Sequence, residues 1–121
     1  MKKNKNLAGK QVAVFICRFE VNDKDNVEFV INEAIYSDIP SDLVTNLMLN
    51  VNLISQTLNP YRHFSNGNIL MDINFITFEE TEILLNDRMH YSLSKEELDI
   101  IFMNAKKIVE TIVTVINNRG I

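Results

Sequence analysis

The spacing of apolar residues switches back and forth along this chain, and that switching limits the folds open to it. Between Gln11 and Val21, Ala13, Phe15, Cys17, Phe19 and Val21 share one face of an extended segment, with Val12, Val14, Ile16, Arg18 and Glu20 on the other. A period of two, β-branched and aromatic content and no breaker predict a strand. NDKDN then reads as a polar turn whose Asn and Asp side chains bond the local backbone. VEFVINEAIY reads as a second strand, closing a hairpin. From Val44 to Leu58 the spacing becomes three and four, with Leu47, Met48, Val51 and Ile54 in the same stripe, which predicts a helix. Ser41 is placed to cap it, Asp42 to favour its positive end, and Asn59-Pro60 to stop it.

After a polar loop, YRHFSNGN, alternation returns. Ile69, Met71, Ile73 and Phe75 oppose Leu70, Asp72, Asn74 and Ile76, predicting a third strand. EETE turns the chain, and ILLNDRMHYSL reads as a weaker fourth strand with a break at Asn86-Asp87. The last helix is announced by a capping box, Ser94 with Glu97, and by Leu93 and Leu98 at staple positions. Its stripe is Leu98, Ile101, Phe102, Ala105, Ile108, Val109, Ile112 and Ile116, and Asn118-Arg119-Gly120 makes a stop. The order is ββαββα. The expected fold is α+β: one antiparallel four-stranded sheet with both helices on one face. A length of 121 residues suits a flexible basic tail, 1–10, and a single α+β domain, 11–121.

Charge narrows the partners. The net charge is −4, but the first ten residues carry four lysines and no acid, which leaves a body with 8 basic and 16 acidic groups. Such a body repels nucleic acid and favours basic partners. No apolar run approaches the roughly 18 residues of a membrane span, so no membrane role is expected. The basic start followed by apolar residues resembles a signal peptide, but Arg18 and Glu20 interrupt the run and no cleavage site follows, so no leader is expected. Cys17 is the one cysteine, which rules out an intrachain disulfide and a cysteine-based zinc site and suits a reducing, cytoplasmic setting. The abundance of Lys, Asn and Ile, residues with AT-rich codons, points to a bacterial or phage gene.

One stretch stands apart. LVTNLMLNVNLISQTLNPY, residues 43 to 61, holds no charged side chain, in a chain that is 23% charged. On a helical wheel Leu49 and Leu53 fall opposite the core stripe, framed by Asn46, Asn50, Gln56 and Thr57. Depletion of charge marks the core of an interface. Leu49, Leu53, Asn46 and Asn50 are therefore the expected contact residues of a homo-oligomer, a dimer or larger, formed through the helix 41–59. TIVTVI, uncharged nearly all round, suggests two-sided burial of the last helix too.

Chemistry is less visible. No catalytic constellation, cofactor motif or metal-ligand spacing is present, so no catalytic residue, cofactor or metal is expected. Tyr61, Arg62, His63 and Asn66 form the candidate ligand site, with Arg62 suited to an anion and His63 to proton transfer. His90 is expected on the fourth strand, DKDN as a hairpin turn rather than a calcium loop, and Cys17 as a buried thiol. The expected function is a non-catalytic macromolecule-binding protein: an adaptor, an inhibitor, or an accessory protein of a phage or mobile element. The alternative is a small-molecule binding protein or enzyme with an anion site around the 61–66 loop at a subunit interface.

Overall fold

A computed structural model describes residues 11–65, 67–77 and 80–118. The predicted tail 1–10, Asn66 and the final Arg119-Gly120 stop lie outside them. Four strands, β1 (Gln11–Val21), β2 (Val27–Val30), β3 (Ile69–Thr77) and β4 (Thr81–Leu85), form one antiparallel sheet in the order β2-β1-β3-β4. Two long helices, α2 (Ser41–Leu58) and α4 (Lys95–Asn118), cover it, and two short ones, α1 (Glu33–Ser37) and α3 (Asp87–Ser92), join strands to them. The α+β fold expected from the sequence is thus the fold observed. Among the described residues no helix is long and apolar enough to cross a membrane.

The sidedness of the sheet follows from its alternation. Cys17, Phe19, Met71 and Ile73 are buried, together with Leu47, Val51, Ile54 and Leu58 of α2 and Ile101, Ala105, Ile108 and Ile112 of α4. The residues between them in the strands make the other face. There Val30, Arg18, Asp72 and Leu84 line up across all four strands. Arg18 Nε donates to Asp72 Oδ1 at 3.1 Å in the middle of that row. One position breaks the pattern. Phe19 pairs with Met71 but Glu20 pairs with Ile69, so Leu70 is an extra residue in β3. A bulge of this kind re-aims a side chain, and Leu70 is fully buried rather than facing outward.

Three predicted boundaries move, each for a local reason. The second strand ends at Val30, not Tyr36, because Asn32 starts α1: its carbonyl accepts from the Ile35 and Tyr36 amides, and its side chain accepts from Ile35. The fourth strand ends at Leu85. Asn86 Oδ1 accepts from the amides of Arg88 and Met89 at 3.1 and 3.4 Å and caps α3, so the Asn86-Asp87 break is a helix start. His90 is consequently on a helix, not a strand. The polar loop after α2 is mostly a 3₁₀ segment, Asn59–Phe64, with Pro60 in its first turn, where the missing N–H removes no bond. Pro40 rather than Ser41 occupies the cap of α2 and supplies no side-chain bond; its fixed φ presets the entry.

The first turn and the last helix match their sequence signals. Asn22 Oδ1 accepts from the amides of Lys24 and Asn26, and Asp25 takes a left-handed φ of 60°. Ser94 Oγ accepts from the Glu97 amide at 3.1 Å, while Glu97 Oε1 accepts from the Ser94 amide at 2.9 Å. Leu93 is buried and Leu98 packs against the same cluster. Phe102, however, is 40% exposed and not in the core, whereas Val115 and Asn104 are buried. Asn104 faces inward because its Nδ2 is satisfied by the Ile100 carbonyl at 2.7 Å. Thr114 is exposed, so TIVTVI is not buried all round, and the side chain of Ile116 lies outside the described residues.

Ile54→Ala, at a fully buried position, is expected to cost about 2–5 kcal/mol. Ser94→Ala, which removes half of the capping box, is expected to cost about 1 kcal/mol. Urea unfolding followed by circular dichroism measures both.

Candidate interaction surface and the 61–66 region

α2 and α4 pack antiparallel, and one contact and one shared hollow mark their register. At one end the Tyr61 hydroxyl donates to the Glu97 carboxylate, 2.9 Å from Oε1 and 3.1 Å from Oε2. At the other, Leu43, Asn46, Leu49 and Asn50 share a hollow of about 480 Å³ with Lys107, Glu110, Thr111 and Thr114. This register sets Leu53 level with Met103 and Asn104. The sheet takes one side of each helix and the partner helix takes a flank. What remains is a common outer face, where Leu49 is 59% exposed, Leu53 47% and Met103 55%, with Ile100 beside them.

Four polar residues of that face turn a donor onto their own helices. Asn50 Nδ2 donates to the Asn46 carbonyl at 2.8 Å, and Thr57 Oγ1 donates to the Leu53 carbonyl at 2.8 Å. On α4, Thr111 and Thr114 donate to the carbonyls of Lys107 and Glu110. Each bond satisfies a donor within its helix and leaves carbon surface outward. The structure brings Asn46, Leu49 and Asn50 together in one hollow, with Leu53 one turn further along α2. Sequence reading missed the half contributed by α4. Its signal was available: Ile100 and Met103 are apolar residues lying off the core stripe.

The predicted ligand site is brought together only in part. Tyr61 reaches across to α4. Arg62 and His63 share a shallow hollow of about 420 Å³ with Asp25, Ser65 and Asn68, and Asn66 lies outside the described residues. Arg62 Nη1 already donates to the Asn59 carbonyl at 2.8 Å, tying off the end of the helix. His63 is exposed and lies tilted against Phe64, ring centres 4.3 Å apart. Arg88 of α3 lies over the same Phe64 ring at 5.5 Å. The presence of Asp25 makes this a mixed-charge hollow, and Arg62 offers an anion fewer free donors than its sequence context promised. His90 is exposed in the last turn of α3, edge-on to Tyr91. Cys17 is buried, and burial pushes its thiol well above the usual range, which keeps it protonated. Among the described residues no three His, Cys, Asp or Glu side chains cluster to hold a metal ion.

Glu97 holds the two helices in register, and its ionisation follows. The Ser94 amide first, and then the Tyr61 hydroxyl, hold its carboxyl below the usual glutamate range, and Tyr61 itself is raised by the hydrogen bond it donates to that carboxylate. A depressed carboxylate stabilises the fold above its unfolded pKa, and this contribution is lost as pH falls through the folded value. Tyr61→Phe is therefore expected to raise the Glu97 pKa toward its usual value. The stability gap between wild type and variant is expected to be present at neutral pH and to shrink in acid. A carboxyl-carbon NMR titration and urea unfolding across pH measure the two effects.

Compared with models of protein families, with curated proteins and with solved structures, the chain matches none.

Proposed function

We propose that this chain is a non-catalytic protein-binding component of the cytoplasm that works as a homo-oligomer, associating through the outer face of the α2–α4 pair. One observation carries the reading: Leu49, Leu53 and Met103 stand about half exposed on a face where Asn50 and Thr57 turn a donor onto their own helix. Six such side chains from two copies, already half covered, contribute about 5–9 kcal/mol on full burial. Association costs about 4–15 kcal/mol, so this face alone makes a modest contact between copies. The acidic body then favours a basic protein as the further partner.

A second reading rests on Arg62 and His63 sharing one hollow: a small anion bound there. Asp25 in the same hollow and the bond from Arg62 to Asn59 weigh against it. Phosphate or a nucleotide in large excess that shifts the unfolding midpoint supports it, and no shift with any anion removes it.

The leading reading is tested by light scattering after size exclusion on wild type and Leu53→Glu. The wild type is expected to contain two or more chains. The variant is expected to lose mass while keeping the wild-type circular dichroism spectrum, since position 53 is outside the core; its unfolding midpoint falls only by the association it loses. A wild type that is a single chain overturns the reading.

A further inference from the structure

We infer that the β4 edge of the sheet, with the flank of α4 beside it, is a second interface, and that its occupant is another copy of this chain. β4 ends the sheet, and its ladder with β3 runs from Thr81 to Leu85 without a register shift. It carries no proline, no lysine and no bulge, the usual guards of an edge strand. Its one charge, Glu82, is held by Asn74 Nδ2 at 3.3 Å. Behind the edge runs a groove of about 690 Å³, lined by Thr81 and Ile83 from the strand and by Phe102, Val109 and Val113 from the helix. Lys106 and Glu110 stand in the same groove, both exposed, and neither forms an ion pair with a described residue.

A second copy fits because the groove is complementary to itself. Two antiparallel β4 strands related by a two-fold axis at Ile83 set Glu82 opposite Leu84 and Thr81 opposite Leu85, so no like charges stand directly opposite, and the two Glu82 are diagonal neighbours. An axis perpendicular to the sheet keeps the helices of both copies on one side and runs their α4 helices antiparallel. The stretch of α4 lining the groove, 102 to 114, has its midpoint at residue 108. A two-fold there sets Lys106 of each copy opposite Glu110 of the other, and Phe102 level with Thr114. One axis serves strand and helix together where the midpoint of that stretch stands over Ile83, which borders the same groove. The opposite edge offers no such match: the groove beside β2 has Glu28 as its one charged group. The β4 contact adjoins the outer helix face, since Glu110 and Thr114 border both hollows, whereas Lys106 borders the β4 groove alone.

Lys106→Glu and Glu110→Lys test the pairing, alone and mixed. Each variant alone opposes like charges across the axis and is expected to run at about half the wild-type mass by light scattering. An equimolar mixture is expected to recover the wild-type mass, because the carboxylate introduced at position 106 then meets the ammonium introduced at position 110 of the other variant. Recovery in the mixture excludes a merely intrahelical effect of these i, i+4 neighbours. Wild-type mass for both variants, or two half-mass variants that do not recover on mixing, overturns the inference. Leu53→Glu separates the two interfaces: if it leaves the mass unchanged while the charge variants halve it, the helix-face reading falls and the β4 contact stands. If Leu53→Glu and Lys106→Glu each halve the mass and their combination leaves a single chain, both contacts hold.

Discussion

The α2–α4 pair covers one face of a four-stranded sheet, and the other elements are arranged around that single act of burial. Alternate residues Cys17 and Phe19 of β1 and Met71 and Ile73 of β3 point at the pair and are buried, while Arg18 and Asp72 between them are not. No helix among the described residues covers the other face, and an ion pair at 3.1 Å sits at its centre. Each helix gives one stripe to the sheet and one flank to its neighbour. Tyr61 and Glu97 pin the pair at one end, so a contact between residues 36 apart in sequence sets the register of the whole helical layer.

The long periodic elements were legible because their spacing reports the side that is buried. β1, α2, α4 and the Ser94–Glu97 capping box are present in the residues themselves. The short helices were not legible, since α1 and α3 have five and six residues, too few for a period to show against strand-like neighbours. Each is decided by one asparagine, Asn32 or Asn86, whose side chain competes for backbone amides and wins at the end of a strand. Leu70 escaped the alternation for a different reason: a bulge is a property of the pairing with β1, not of β3 alone.

The candidate site divides in the same way. Leu49 and Leu53 were legible because absence of charge and wheel position are local facts. The parting of Tyr61 from Arg62 was not, because Glu97 comes from another helix. Periodicity places Phe102 in the core, yet it lies on the margin of the stripe, beside the β4 groove. A stripe can be read from sequence. Where the sheet beneath it ends cannot, and that end decides whether a marginal residue is covered.

Charge explains why these surface features bear on association at all. The body of the chain carries 8 basic and 16 acidic groups, so two copies repel at a distance and need local complementarity to meet. The outer helix face that we propose as an interface carries no charge across its α2 half. In the β4 contact we infer, Lys106 and Glu110 stand one turn apart, a spacing that a two-fold axis would turn into two opposite-charge pairs. In that proposed assembly each contact would be isologous, and two of them would close into a tetramer where their axes cross at right angles. An edge strand, which on its own invites open-ended pairing, would then have its pairing used up by one copy.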